Sequence, residues 1–242
     1  RVRRVTTSSS VHPPCHTDKR VSTQVQKVTS LPAEDSLPGR YHTSKPRRPR
    51  PAHVGQTQTR WAIVGAGLTG LAAARQMALN FPDGEIVLIE AQEVGFGPAG
   101  RNAGFAIDVP HDIGAKGYIG DITTAKRVLK LNTLGQDYLR DIVKTHSIEC
   151  QKSDSGKYQA AVSGAGIAVL EAYRSGLEKI GRETQMIDER DLPDHIGISY
   201  YKKALFIPGT VLVQPSALVK GLADSLPSNV TLYENTPITS ID

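Results

Sequence analysis

The sequence predicts an α/β fold, and three features lead to that prediction. Residues 62–64 and 85–90 are short, nearly unbroken apolar runs, as expected for parallel strands that are covered on both faces. A helix-forming stretch, residues 71–79, lies between them and is ended by Asn80 and Pro82. A glycine-rich turn joins the first strand to this helix. Strand, turn, helix and strand make a βαβ unit, which is right-handed by default.

The positive charge of the chain is confined to its N-terminal arm. The 242 residues contain 29 Lys and Arg against 24 Asp and Glu, a net charge of +5. Residues 1–60 hold 12 basic and 3 acidic side chains, and the remaining 182 residues hold 17 and 21. A basic tail on a mildly acidic body is weaker evidence for nucleic-acid binding than a basic folded face. We therefore expect no nucleic-acid partner.

The first 60 residues divide into two segments of different composition. Residues 1–36 are rich in Arg, Ser and Thr without a sustained hydrophobic period, which predicts a disordered basic arm. Residues 37–60 contain several prolines and predict an extended, proline-rich strap. The main domain is predicted to occupy residues 61–242.

Cysteine content and hydropathy indicate a cytoplasmic protein. Cys15 and Cys150 are far apart in sequence, which suits neither a disulfide framework nor a metal site. No apolar run approaches the roughly 20 residues of a membrane helix. We expect no membrane partner and no metal.

The rest of the body predicts a mixed α+β region with no internal repeat. Its predicted elements are helices over residues 121–146 and 164–180, a helix over residues 217–226 capped by Ser216, and strands around residues 148–150, 158–162 and 230–233.

The glycine turn has the spacing of a dinucleotide-binding loop. Gly65 allows a tight turn, Gly67 leaves room for a diphosphate beside the backbone, and Gly70 lets helix and strand pack closely. The first helical turn, with Leu68 and Thr69, then offers unpaired N–H groups to phosphate. The alternative is a βαβ unit that binds no nucleotide.

An acidic residue in the expected place supports the nucleotide hypothesis. Glu90 ends the second strand, twenty positions after Gly70, where a carboxylate accepts hydrogen bonds from ribose hydroxyls. A carboxylate there disfavours the 2′-phosphate of NADP. The alternative is a surface acid at a strand end. This Rossmann-like unit is compatible with either FAD or NAD.

The segment after Glu90 favours FAD. A glycine fingerprint, an acid and then Gly100-Arg101-Asn102-Ala103-Gly104 resemble the D-amino-acid oxidase superfamily of FAD enzymes, in particular its gamma-glutamylputrescine oxidoreductase-like branch. The resemblance extends over about residues 37–242. It implies a Rossmann-like FAD-binding βαβ unit with part of a mixed α+β substrate domain.

The resemblance also implies which residues contact FAD. They come from the turn, the strand end, the glycine-rich loop and the last strand: Gly65, Gly67, Leu68, Thr69, Gly70, Glu90, Ala91, Gly97, Gly100, Arg101, Asn102, Ala103, Gly104 and Ile238. For three of them a structural role remains open. The Arg101 side chain could instead form an ion pair. Asn102 could instead bond backbone groups of its own loop, and Ile238 could be a core residue.

Two departures from the family pattern limit what it implies. Pro98-Ala99 stands where the branch often has Ala-Ser, so a hydroxyl for phosphate is missing. Enzymes of this family complete the flavin site with a strand and a glycine-rich segment from their C-terminal half, which these 242 residues do not supply. We therefore expect an incomplete N-terminal part that has little activity alone.

The resemblance implies an oxidoreductase that transfers hydride from a C–N bond of an amine or amino acid to FAD, with O2 as the expected acceptor. The alternatives are an NAD-dependent dehydrogenase and a non-catalytic truncated product. Neither the catalytic residues nor the substrate follow from the sequence.

Overall fold

The computed structural model describes residues 5–7, 26–27, 39–112, 115 and 118–241 of the 242-residue chain. It contains two compact units. The first comprises residues 1–103 and 215–242, and the second comprises residues 104–214. Within the described residues, no helix is both long and apolar enough to span a bilayer.

The centre of the first unit is a three-stranded parallel sheet. Its strands are β3 (Trp61–Val64), β4 (Ile86–Ile89) and β10 (Val230–Tyr233), with β4 in the middle. Trp61 and Val230 both pair with Ile86, so all three strands are in register. This confirms the predicted βαβ unit and the predicted strand near residue 230. The fully buried pattern of β4 agrees with its unbroken apolar sequence.

Two helices cover one face of this sheet. They are α2 (Leu68–Asn80) and α7 (Pro215–Asp224). Leu71 and Ala74 of α2 and Val219 and Ala223 of α7 pack with Leu88 and Leu232 of the sheet in one apolar cluster. The α2 residues are separated by three positions, so they lie on one side of the helix. Burial of this stripe, rather than helix propensity, holds α2 on the sheet.

The predicted strap begins with α1 (Gly39–His42), and residues 45–54 contain neither helix nor strand. Its side chains and backbone reach α7 and the residues that follow β10. At its end, the hydroxyl of Thr59 donates to the carbonyls of Trp61 and Glu85, at the start of β3 and β4.

A small antiparallel sheet joins parts of the predicted arm to the last strand. In it, β1 (Val5–Thr7) and β2 (Gln26–Lys27) flank β11 (Ile238–Ile241). At these five arm residues, the expectation of disorder is replaced by strand pairing. The remainder of the predicted disordered arm lies outside the described residues.

The second unit combines helices with an antiparallel sheet. The long helix α4 (Ile122–Thr145) is capped by the Asp121 carboxylate, which accepts the Thr124 N–H at 2.7 Å. Ser163 caps α5 (Gly164–Lys179) in the same way. Both helices agree with the predicted ranges. Besides α1, the described residues form two more short helices, α3 (Pro98–Arg101) in the first unit and α6 (Leu192–Ile196) in the second.

The sheet of the second unit has the order β6-β8-β7, with strands Lys157–Ala161, Lys203–Ile207 and Gln185–Asp188. It packs against α5 around the buried Tyr173 and Leu177. A separate two-stranded pair joins β5 (Phe105–Ala106) to β9 (Val211–Leu212). Of these strands, only β6 was predicted from the sequence.

Two local predictions are wrong. Residues 148–150 do not form a strand, because Ser147 and Gln151 on either side have φ of 50° and 51°, a left-handed conformation that interrupts an extended chain. Ser216 does not cap a helix, since α7 begins one residue earlier, at Pro215. Proline suits a first helical position because the N–H that it lacks would have no helical partner there.

Candidate functional site: two glycine bends

The predicted glycine turn lies between the end of β3 and the start of α2. Gly65 has φ of +90°, and its N–H donates to the carbonyl of Ile89 at 2.7 Å. Gly67 is the N-cap of α2, with φ −76° and ψ −176° and without a side-chain cap. The N–H groups of the first helical turn, which have no partner within a helix, therefore point out of the bend. This is the geometry of a phosphate-binding helix start.

The three glycines of this bend are needed for different reasons. A Cβ on Gly70 would overlap the carbonyl oxygen of Gly65, so the packing of the chain itself requires glycine there. A Cβ on Gly67 would come no closer than 3.7 Å to another protein atom, the Ala99 Cβ. The fold therefore tolerates a side chain at Gly67. The space in front of this residue is available to a ligand.

Glu90 faces the bend. One carboxylate oxygen accepts the N–H of Ala66 at 2.8 Å, and the other accepts the N–H of Gln92 at 3.1 Å. The side chain is half-buried at the end of β4, so it both fixes the bend and carries negative charge beside it. The alternative interpretation, a surface acid at a strand end, agrees with its position, and the two hydrogen bonds show that this acid also fixes the bend. A ribose contact by Glu90 stays a prediction.

A second bend repeats the geometry of the first one. Gly95 has φ of +88°, close to the +90° of Gly65. Gly97 is the N-cap of α3 with φ −75° and ψ −170°, and a Cβ on it would have no protein atom within 4 Å. A Cβ on Gly100 would overlap the carbonyl of Gly95, as one on Gly70 would overlap that of Gly65.

Residues 65–70 and 95–100 therefore form two copies of one Gly-x-Gly-x-x-Gly bend. The expectation of no internal repeat is wrong at this short scale. Gly95, which sequence reasoning did not select, is the first glycine of the second copy. The glycine spacing of residues 95–100, which is identical to that of residues 65–70, is the sequence feature that could have identified Gly95.

The two bends lie side by side in the first unit. Ala99, in the first turn of α3, is next to Gly67 and packs on the apolar cluster beneath α2. This apolar contact gives a physical reason for alanine at position 99. Pro98 is the first residue of α3, where its fixed φ favours helix initiation.

Arg101 and Asn102 make contacts within their own loop. The Arg101 guanidinium lies 4.6 Å from the centre of the Phe96 ring, and its Nε donates to the Phe96 carbonyl. The Asn102 amide donates to the carbonyls of Ala99 at 2.7 Å and Pro98 at 3.3 Å. For Asn102, these bonds match the alternative role given above, hydrogen bonding within its own loop. A contact of either side chain with the cofactor stays a proposal.

The other predicted contact residues are in several places. Leu68 and Thr69 are exposed in the first turn of α2, and Ala91 is exposed after β4. Ala103 ends the exposed part of the glycine-rich loop. Ile238 is half-buried in β11 and pairs with Thr7.

Gly104 belongs to the second unit. It has φ of +85°, and its carbonyl accepts the Val213 N–H at 2.9 Å. Among the described residues, no three His, Cys, Asp or Glu side chains are grouped so that they could hold a metal ion.

Comparison with protein families identifies the chain. Residues 60–242 match the family described as "FAD dependent oxidoreductase" (DAO). The chain belongs to this family. FAD is therefore the cofactor of this family, and the alternative of an NAD-dependent dehydrogenase is not supported.

Individual relatives agree with this membership. The chain is 28% identical over 186 residues to gamma-glutamylputrescine oxidoreductase of Escherichia coli, covering 74% of this chain and 42% of that protein. It is 27% identical over 217 residues to the probable oxidoreductase OrdL of Rhizobium meliloti, covering 84% and 48%. The chain thus spans less than half the length of these relatives.

Solved structures share the fold. Glycine oxidase of Geobacillus kaustophilus superposes with a TM-score of 0.61 at 19% identity, over 74% of this chain and 47% of that one. L-amino acid deaminase of Proteus vulgaris gives 0.57 at 18% identity, over 82% and 50%. The α/β class and the Rossmann-like unit are confirmed.

The first unit fits FAD on its own geometry. Gly67 and Gly97 both leave open space at a helix start, and neither glycine is required by packing against the protein. Backbone N–H groups there suit a diphosphate, and the Glu90 carboxylate suits a ribose.

Proposed function

We propose that the protein binds FAD at the two glycine bends and uses it to oxidise a C–N bond of a small amine or amino acid. The observation that supports this most directly is the adjacent pair of bends, with Glu90 at one of them, in a chain of the FAD dependent oxidoreductase family.

In this proposal the backbone binds the diphosphate. The N–H groups of Leu68, Thr69 and Gly70 face it from the first turn of α2, and the absence of a Cβ on Gly67 lets it approach. The partial positive charge of a helix start favours an anion there. Glu90 would accept hydrogen bonds from ribose hydroxyls while it keeps the Ala66 N–H.

The second bend would contribute little positive charge, and its main contribution would be open space beside the backbone. Four-residue α3 has little macrodipole, but Gly97 leaves the space above its N-terminus open. Arg101 is the one cationic side chain of the 95–104 loop. We propose that it stays stacked on Phe96 and adds positive potential for the phosphates.

The bound flavin supplies the redox chemistry by accepting a hydride equivalent from the substrate. The task of this chain is then to hold the cofactor in one position, since alignment of donor and acceptor determines the rate. Loss of hydride from the carbon and of a proton from the nitrogen would leave an imine, which water would hydrolyse to a carbonyl compound and a free amine or ammonia. We propose O2 as the acceptor that returns the flavin to its oxidised form and is itself reduced to hydrogen peroxide.

The substrate class is proposed from the names of the relatives. These names mention gamma-glutamylputrescine, glycine and L-amino acids, all of which carry an amino group. A small molecule with a neutral amine that can lose hydride is the shared chemistry. The second unit, with its mixed α+β architecture, is the proposed substrate domain.

The test is a flavin titration followed by reduction. Full-length protein stripped of cofactor is titrated separately with FAD and NADH while protein fluorescence is recorded. Saturable binding of FAD, and bleaching of the flavin band when amines or amino acids are added without oxygen, are expected. Absence of FAD binding contradicts the cofactor site. FAD binding without reduction by any amine contradicts only the proposed substrate class.

A further inference from the structure

The second glycine bend cannot maintain its conformation by itself. α3 has only four residues, which is far below the length at which a helix is stable in isolation. Residues 90–97, which lead into it, contain neither helix nor strand, and Gly95 is in a left-handed conformation. Neighbouring elements must therefore hold this bend in place.

A buried carboxylate supplies one such connection. Glu234 is 0% exposed, and one of its oxygens accepts the N–H of Val94 at 2.7 Å. Its other oxygen accepts two bonds from the strap, from the Arg47 guanidinium and the Arg50 N–H, each at 2.6 Å. The residue immediately before Gly95 is thus tied to the strap through one side chain.

Arg47 is held strongly to this carboxylate. It also pairs with Asp224 at 2.7 Å and is almost fully buried. Burial alone would lower the pKa of Arg47, but hydrogen bonds to Glu234 and Asp224 outweigh burial and raise it. A charged pair with this geometry in a buried place is strongly oriented, because breaking it would leave a charge without a partner.

Tyr41 makes a second connection. Its hydroxyl donates to the carboxylate of Glu93, and its ring meets the Phe96 ring edge-on at 6.1 Å. The Lys220 ammonium lies 3.7 Å from the centre of the Tyr41 ring. Burial and the Glu93 carboxylate raise the pKa of Tyr41 far above its ordinary value, so its hydroxyl keeps the proton of this bond in alkaline solution as well.

Serines complete the contact between strap and bend. Lys220 donates to the buried Ser44 hydroxyl at 2.8 Å, and Ser44 lies 3.3 Å from the Ser216 hydroxyl. A Cβ on Gly95 would stand 3.2 Å from this same Ser216 oxygen. The first glycine of the second bend therefore lies directly on the residues that hold the strap.

We propose that the strap is a positioning element for the cofactor site, and that Tyr41, Arg47 and Glu234 hold the second bend in the shape that receives FAD. None of the three touches the open space at Gly67 or Gly97; they act through Glu93, Val94 and Phe96. This inference rests on the proposed function, since it takes the second bend to be a cofactor contact.

The test compares two hydroxyl deletions in the strap of the full-length protein. Tyr41→Phe removes the bond to Glu93 and keeps the ring between Phe96 and Lys220. Thr59→Val is the matched control, since Thr59 fastens the strap at the starts of β3 and β4, whereas the bends follow the strand ends. For each protein we measure the FAD dissociation constant and the melting temperature of the cofactor-free form.

Tyr41→Phe is expected to weaken FAD binding about tenfold or more, as for loss of one hydrogen bond to a charged group, while Thr59→Val, which acts at the other ends of the strands, changes it less than about twofold. Glu93→Met, which removes the oxygen acceptor and keeps a similar side-chain length, should have a similar effect, and the double variant should be little worse than either single one, because both remove the same bond. This coupling is not expected from a general loss of stability.

Two results would overturn the inference. One is unchanged FAD affinity in Tyr41→Phe when the unaltered protein binds FAD. The other is a loss of affinity that follows the melting temperature equally in Tyr41→Phe and Thr59→Val. Failure of the unaltered protein to bind FAD would instead contradict the proposed function.

Discussion

Gly70 lies so close to the carbonyl oxygen of Gly65 that a Cβ on Gly70 would overlap it, whereas a Cβ on Gly67 would be 3.7 Å from its nearest protein neighbour. The first contact is part of how α2 packs against β3. The second position is open. Two glycines of one motif thus serve different purposes, one for the fold and the other for a ligand.

Alanine at these two glycines should separate folding from cofactor binding. Gly70→Ala is expected to destabilise the protein by about 1–3 kcal/mol or more, because the backbone must move to admit the methyl group. Gly67→Ala should alter the free energy of unfolding of the cofactor-free protein by less than about 1 kcal/mol and reduce FAD affinity at least about tenfold. Chemical denaturation and FAD titration measure the two effects.

The same comparison at Gly100 and Gly97 provides an internal control, because the second bend has the same steric pattern. If Gly67→Ala and Gly97→Ala both bind FAD like the unaltered protein, the open spaces are not diphosphate sites.

Glu90 should contribute to FAD affinity. Glu90→Gln keeps the size of the side chain, but its single oxygen cannot accept from both Ala66 and Gln92 as the two carboxylate oxygens do. It also removes the negative charge proposed to bind the ribose. We expect the FAD dissociation constant to rise about tenfold, equivalent to roughly 1.4 kcal/mol.

Glu85→Gln is the control for Glu90, because it removes an exposed acid at the opposite end of the same strand. FAD titration of both variants measures the effect. Equal affinities in the two variants would show that Glu90 has no part in binding.

The sequence was sufficient for the βαβ unit because its signals are local. The glycine spacing, the apolar run of β4 and the acid at its end lie within 26 residues. Once Gly65 turns the chain and Gly70 lets α2 return onto the sheet, parallel pairing of β3 with β4 follows. The position of Glu90 at the bend follows from the same geometry.

The antiparallel sheet of the second unit was not predictable in the same way. Lys203–Ile207 pairs with residues about twenty and about fifty positions earlier, in β7 and β6. Its apolar run alone cannot be distinguished from a buried helix segment, and it has no flanking motif like the glycine turn and acid beside β4. The contacts of the strap were hidden for a related reason. Arg47 and Glu234 are 187 positions apart, and no local pattern links them.

A buried ion pair in the second unit should be important for its stability. The Asp108 carboxylate is 1% exposed and lies 2.5 Å from the Arg182 guanidinium. Gly209 covers both groups, since a Cβ there would overlap each of them. Arg182→Met is expected to cost about 3–5 kcal/mol of unfolding free energy, because it removes the ion-pair partner of a buried carboxylate.

The matched control for this ion pair is Arg174→Met, which breaks an exposed pair with Glu178 on α5. Such pairs contribute less than about 1 kcal/mol. Denaturant unfolding of the two variants measures the difference. Similar losses in both would contradict a special contribution of the buried Asp108–Arg182 pair.

Tyr173 should make the protein sensitive to alkali. It is 0% exposed, and its hydroxyl donates to the Pro110 carbonyl at 2.8 Å. Burial, and then the nearby Asp108 carboxylate, raise the pKa of Tyr173 well above its ordinary value. In the unfolded chain a tyrosine loses its proton near pH 10, so above that pH the folded state binds more protons than the unfolded state.

The stabilisation linked to this proton is therefore complete below about pH 10 and is lost as the pH rises further, by up to about 1.4 kcal/mol per pH unit for one group. Tyr173→Phe should reduce the slope of the unfolding free energy against pH in this alkaline range. At neutral pH the variant should be about 1 kcal/mol less stable, because its hydrogen bond to the Pro110 carbonyl is missing. Tyr138→Phe, on the exposed side of α4, should leave the slope unchanged. Unfolding free energies between pH 8 and 11 measure both, and an unchanged slope in Tyr173→Phe would show that the buried phenol ionises without unfolding.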